Sequence, residues 1–265
     1  VLPVSDGRAM HLMRAESPGP SVGKISSKIR DTAKILYAMY LVLTVVQTIL
    51  LRLVGLPWYD ALITAFGAAG TGGFSNRAAS IGAYGSPAVE MITAVFMVLF
   101  GINFNAYFLI LIRKFRQAWE SEEVRAYLLI IAAATLAITF NVRGYFSSFT
   151  QAFQQTIFQV ASIITTTGYA TTNFDLWPEF SRTILVLLMF VGACAGSTAG
   201  GLKMGRLLLI LKNLRRNIRR ILSPQRVEVV RMNGNRIGED VLNNTNTYLA
   251  AYGVILVGSF LLISI

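Results

Sequence analysis

The stretch Thr165-Thr166-Thr167-Gly168-Tyr169-Ala170-Thr171-Thr172 lies between strongly apolar segments and constrains the fold more than any other. Thr and Gly are poor residues for a helix interior, so the backbone opens here. In lipid an unpaired N–H or C=O is expensive, and non-helical backbone survives at membrane depth only where protein buries it or where it lines a watery path. Gly168 reaches backbone angles closed to other residues, and its missing side chain leaves room beside the carbonyls.

The surrounding composition is that of a membrane protein, with 54% of 265 residues hydrophobic and 14% charged. Five apolar spans cover residues 34–55, 87–112, 126–142, 183–211 and 246–265, several close to the ~20 residues that a spanning helix needs. None has the form of a cleaved signal peptide. The single cysteine, Cys194, excludes an intramolecular disulfide. The net charge of +11 does not point to nucleic acid, because twenty of the twenty-four Lys and Arg fall in three connectors, at 8–34, 113–125 and 203–236. Basic connectors of this kind mark the cytoplasmic side.

The order of segments repeats. The first unit, 34–112, holds a long helix, a half-length segment at 57–69, the loop Gly70-Thr71-Gly72-Gly73-Phe74-Ser75-Asn76, and a long helix over 87–112. The second, 126–211, repeats this with a half-length segment at 149–164 and the Thr-rich loop. Setting Gly72 opposite Gly168 aligns Thr71 with Thr167. The half-length segments are too short to cross, so each enters the bilayer and turns back at its Gly/Thr loop. Residues 1–33, 113–125 and 212–245 then form cytoplasmic connectors, and 246–265 begins a further repeat. The chain reads as an internal piece of a longer protein. Asp60, Glu90, Asp175 and Glu179 are expected outside, near a pore mouth where acidic groups concentrate cations. The fold class is therefore all-α membrane protein, built from helix–pore loop–helix units of the potassium-channel type, in which loop carbonyls replace the hydration shell of the ion.

Four stretches carry a family resemblance: Arg14-Ala15-Glu16-Ser17-Pro18-Gly19-Pro20, Gly72-Gly73-Phe74-Ser75, Thr166-Thr167-Gly168-Tyr169-Ala170-Thr171-Thr172, and Gly192-Ala193-Cys194-Ala195-Gly196-Ser197-Thr198-Ala199-Gly200-Gly201-Leu202-Lys203. In that order they resemble the Trk/Ktr/HKT potassium uptake family, whose fold has four helix–pore–helix repeats around one ion path. The resemblance implies that this chain holds repeats two and three and the start of repeat four. It implies Thr71, Gly72, Gly73, Thr166, Thr167, Gly168 and Tyr169 as filter residues, with potassium held at Gly72, Thr167 and Gly168. It also implies a homodimer in membrane lipid and a cytosolic, nucleotide-binding regulatory subunit of the TrkA kind. Any nucleotide would sit on that partner, with potassium the only ion expected here.

The stretch from Gly192 to Lys203 interrupts the last complete span. Small residues at helical spacing often mean close helix packing, but a break at this depth requires a cavity. Gly192, Ala195, Gly196, Ser197, Thr198, Gly200, Gly201 and Lys203 are therefore the candidate gate loop. The Gly196-x4-Gly201 spacing imitates a phosphate loop, but Leu202 stands where the lysine must be. Asn103 and Asn105 read as amides that hydrogen-bond a neighbouring helix. His11 stands alone, and no catalytic constellation is recognisable, so no enzyme is expected. The function expected is potassium uptake through a gated, channel-like pore. The alternatives are an alternating-access carrier coupled to a sodium or proton gradient, and a non-conducting structural membrane subunit.

Overall fold

The structure, a computed structural model, describes residues 29–223 and 228–264. The Arg14–Pro20 motif and His11 lie outside them. Ten helices follow one another among the described residues: α1 (Ile29–Leu53), α2 (Trp58–Ala69), α3 (Pro87–Phe100), α4 (Phe104–Leu111), α5 (Phe115–Trp119), α6 (Glu122–Val142), α7 (Phe149–Ile164), α8 (Glu179–Val191), α9 (Met204–Leu222) and α10 (Glu239–Ile263). A two-residue hairpin, β1 (Arg231–Met232) and β2 (Asn235–Arg236), precedes α10 with Arg231 opposite Arg236.

Local chemistry sets the helix starts. Pro57 and Pro178 precede α2 and α8, Pro87 opens α3, and the Ser148 hydroxyl accepts from the Gln151 N–H at 3.1 Å to cap α7. Three helices are long and apolar enough to cross a bilayer, or four if the bent pair α3–α4 is one span. The short helices α2 and α7 enter the fold and stop.

Two apolar cores correspond to the two sequence units. One joins α1, α2 and α3 around Leu51, Met97 and Phe100, and the other joins α6, α7 and α8 around Tyr127, Ile138 and Leu185. Helix α3 packs on α7 across the units. Phe158, Ala161 and Tyr169 of the second unit are buried in the core of the first, so the two form one body.

The structure departs from the sequence reading in several places. Residues 87–112 are not one straight helix: α3 and α4 meet at 91°. Gly101 ends α3, and the Asn103 side chain accepts from the Asn105 N–H at 2.8 Å to start α4. Asn103 is thus a cap at a break, and its amide also bonds Glu123 of the neighbouring α6 at 3.3 Å, as expected of it. Helix α9 runs past 211 to Leu222, and α10 begins at Glu239. Asp60 and Glu90 are buried, not displayed at a mouth. Asp60 is held by Arg77 at 3.0 Å and Asn76 at 2.6 Å, and Glu90 by Gln154 at 2.7 Å and Gln155 at 2.8 Å. Asp175 is exposed, and Glu179 pairs with Arg182.

Candidate functional site

Helices α2 and α7 each deliver their C-terminal end, the negative pole of the helix dipole, to a Gly/Thr loop. The two loops follow the same backbone path. In the first, the N–H groups of Gly70, Thr71, Gly72 and Gly73 bond to the carbonyls of Phe66, Ala68, Gly67 and Gly67. In the second, those of Thr165, Thr166, Thr167 and Gly168 bond to Ala161, Ile163, Ser162 and Ser162. Thr71 and Thr166 both take left-handed φ values, 48° and 56°, as do Gly73 and Gly168 at 63° and 84°. The repeat register is therefore one residue away from the sequence alignment. Gly73 matches Gly168, Gly72 matches Thr167, and Thr71 matches Thr166. Two glycines in tandem hid this, since either could be set against Gly168. The same offset aligns the bond from Asn76 to Asp60 with that from Thr171 Oγ1 to Gln155, at 2.5 Å. Each unit thus ties its loop back to its own short helix.

The loops touch one another. A Cβ at Gly73 would sit 2.0 Å from the Thr167 carbonyl oxygen, whereas one at Gly168 would meet nothing within 4 Å. Gly73 is therefore a contact between loops, and Gly168 faces open space. Tyr169 is buried, and its one hydroxyl proton is shared between the Thr64 carbonyl of α2 at 3.2 Å and the Phe74 carbonyl of the first loop at 3.1 Å. Gly67 leaves room for it, because a Cβ there would stand 2.0 Å from that hydroxyl oxygen. Ser162 Oγ donates to the Tyr169 carbonyl at 2.6 Å. Tyr169 is thus a strut between loops.

Residues 192–203 form a closed loop between α8 and α9. Leu202 N–H bonds to the Phe190 carbonyl at 3.2 Å and Met204 N–H to Ala193 at 2.9 Å. Gly192 and Gly201 both have left-handed φ, and a Cβ on Gly192 would stand 2.5 Å from the Gly200 carbonyl. These glycines let the two arms of one loop meet, not two helices. Lys203 Nζ donates to the Ser197 and Ala199 carbonyls, folding its charge onto the loop's own backbone.

The tip of this loop is bonded to both Gly/Thr loops. Thr71 Oγ1 shares its proton between its own Gly70 carbonyl at 2.8 Å and the Thr198 carbonyl at 3.2 Å, and Gly200 N–H donates to Thr166 Oγ1 at 2.7 Å. These are the two matched threonines, each one residue past the cap of its short helix. Their hydroxyls clasp the intervening loop. The Thr167 hydroxyl shares a bond with Thr165 Oγ1 at 2.8 Å. Of the expected site residues, the structure gathers Thr71, Thr166, Thr198 and Gly200 at one junction, and Gly73, Thr167 and Gly168 at another. Gly196 lies at the bend, where its carbonyl accepts from the Phe104 N–H at 3.4 Å.

Sequence reasoning missed Glu123, at the start of α6 and buried. Its Oε1 accepts from the N–H of Ala195 at 2.6 Å and of Gly205 at 2.9 Å, and its Oε2 from Asn103 Nδ2 at 3.3 Å. The available signal was a carboxylate pair, Glu122-Glu123, opening an otherwise apolar span. Among the described residues, no group of three or more His, Cys, Asp or Glu is placed to hold a metal ion.

A sequence model of the TrkH family, described as cation transport protein, matches residues 1–264. The chain is 34% identical to the Trk system potassium uptake protein TrkH of Salmonella typhimurium, over 99% of this chain and 55% of that protein. It is 28% identical to the Trk system potassium uptake protein TrkG of Escherichia coli, over 95% of this chain and 53% of that protein. The crystal structure of the potassium transporter TrkH from Vibrio parahaemolyticus superposes with a TM-score of 0.86 at 32% identity, covering 94% of this chain and 55% of that one. The chain spans about half the length of the curated relatives it matches.

Proposed function

The chain belongs to the TrkH cation transport family, multi-pass proteins of the bacterial inner membrane, and on that premise we propose that it forms part of a potassium uptake pathway. Ions pass between Gly/Thr loops, and residues 192–203 close the path beneath them. One observation carries the reading: two loops with the same backbone path both bond the tip of the interrupted span through matched threonines.

In the observed register, Gly73 and Gly168 are the paired filter glycines, and Gly72 stands where the second loop has Thr167. Carbonyls of these loops replace the hydration shell of potassium, and the negative poles of α2 and α7 favour a cation at their convergence. The open space beside Gly168 is the side toward the ion. The bonds from Thr71 and Thr166 to the loop from Gly192 to Lys203, and the basic segment that follows Lys203, support putting that loop on the cytoplasmic side of the filter. A cytosolic nucleotide-binding subunit shifts the loop by binding one of its conformations more tightly. The basic face of α9, with Arg215, Arg219 and Arg220 exposed, offers that subunit and anionic lipid a surface. A homodimer completes the assembly.

The test is Gly168→Ser in the full-length protein, with normal expression verified. A side chain there enters the open space and is strained by the positive φ. The expected result is lost or cation-unselective uptake, read as potassium-limited growth of a transport-deficient host. Unchanged growth with unchanged preference for potassium over sodium excludes the filter. Unitary openings in single-channel recordings support a channel, whereas coupled flux without openings supports an alternating-access carrier.

A further inference from the structure

Glu123 is a buried carboxylate to which neither the filter nor the loop tip assigns a role. One of its oxygens receives backbone N–H groups from Ala195, near the start of the interrupted span, and Gly205, just beyond its end. The other receives Asn103, the cap at the α3–α4 break. One side chain thus joins two interruptions of helix that are remote in sequence, the α3–α4 break and the α8–α9 loop. Gly205 has no side chain to keep the carboxylate away, since a Cβ there would sit 3.0 Å from Oε1. The neighbouring Glu122 bonds the hairpin instead. Its backbone N–H donates to Asn233 Oδ1 and its Oε1 accepts from the Asn233 N–H, both at 2.9 Å, while Lys212 of α9 donates to its other oxygen. Asn233 sits in the turn of the β1–β2 hairpin. A cavity of about 730 Å³ opens between the hairpin turn, Asn103, Ala195 and Gly205, giving the loop space into which to move.

We propose that Glu123 is a positioning residue that latches both ends of the gate loop, and that Glu122 couples this latch to the hairpin. The proposal rests on the reading of residues 192–203 as a gate. A charged acceptor binds N–H groups about twice as strongly as a neutral one, so one carboxylate holds the loop shut while the filter is untouched. Displacing the hairpin pulls on Glu122 and hence on the first turn of α6, which carries Glu123. A cytosolic partner therefore reaches the loop without touching the ion path.

The experiment uses full-length protein in which Glu123→Gln keeps the size but replaces one acceptor oxygen with an amide opposing the Asn103 amide. Two readouts are taken. The first is the alkylation rate of buried Cys194, followed on its own peptide by mass spectrometry, with thermal melting as the check on folding. The second is isotopic potassium flux into proteoliposomes, with and without the regulator. The latch predicts a rise of about fivefold in Cys194 modification and in unregulated flux, with reduced stimulation by regulator and retained selectivity. Asn233→Ala should also reduce stimulation. Deletion of Ala195–Gly200 serves as the reference. If deletion raises flux but folded Glu123→Gln matches wild type in both readouts, the latch is wrong and the gate stands. If neither raises flux, both are wrong. Should Glu123→Gln fail to fold, Asn103→Ala removes one of the three donors and must give a smaller rise in both readouts; no rise overturns the latch.

Discussion

Replacing Gly73 with alanine should be far more damaging than replacing Gly72, although the two are adjacent. At Gly73 the new Cβ would lie 2.0 Å from the Thr167 carbonyl oxygen, 3.1 Å from its carbon and 3.3 Å from that of Gly168. Cβ atoms do not approach other atoms closer than 3.0 Å, so backbone must move by about 1 Å, and the backbone in question belongs to the facing loop. The φ of 63° adds about 1–2 kcal/mol of strain for a residue with a side chain. Gly72 has no positive φ, and a Cβ there meets only the Phe74 ring, at 2.9 Å. That ring is 79% exposed and free to swing aside. Since 1.4 kcal/mol is a factor of about ten, Gly73→Ala should lower potassium-over-sodium selectivity by at least about tenfold. Gly72→Ala should remain within about threefold of wild type. The assay is the ratio of isotopic potassium to sodium flux in proteoliposomes of the full-length variants, normalised to inserted protein. Greater loss in Gly72→Ala would refute the register derived from the two backbone paths.

Tyr169→Phe removes the hydroxyl proton shared between the Thr64 carbonyl of α2 and the Phe74 carbonyl of the first loop and should cost about 1 kcal/mol of stability, measured by melting in detergent. Gly101→Ala places a Cβ 2.2 Å from the Tyr127 hydroxyl oxygen and should cost about 1–3 kcal/mol through overpacking; adding Tyr127→Phe should recover part of it, because the ring carbon beyond stands at 3.0 Å. For orientation, single cysteines replacing Arg216 and Glu179 in a Cys194→Ser background should differ on intact cells. An impermeant thiol reagent should label position 179 and spare position 216, and the reverse pattern would overturn the topology drawn from the basic connectors.

The architecture was legible because lipid leaves a chain few choices. Apolar spans, half-length segments and Gly/Thr loops are signals in composition and order, and the structure repeats them in α2 and α7. The α3–α4 bend was less legible. Gly101-Ile102-Asn103 contains a terminator and a cap, but apolar residues on both sides read as one span, and nothing local shows that Tyr127 packs against Gly101. The filter register failed for a different reason. Gly72 and Gly73 are the same residue type, and only backbone angles and bonds to the preceding turn separate them. Asp60 and Glu90 were expected outside near a pore mouth, on the topology drawn from the basic connectors; they are instead buried against Arg77 and Asn76, and against Gln154 and Gln155, and no local pattern announces amides that lie 64 and 65 residues beyond Glu90. Glu123 is the same case, with donors at 103, 195 and 205.

The claim that residues 192–203 close the path beneath the filter is tested most directly by isotopic potassium flux through full-length protein lacking Ala195–Gly200. The deletion removes the Thr198 and Gly200 contacts to Thr71 and Thr166 and leaves both Gly/Thr loops in place. The account predicts higher flux that depends less on the cytosolic regulator, with potassium still preferred over sodium. A well-folded deletion whose flux is unchanged or lower would contradict it and leave the loop as a packing device.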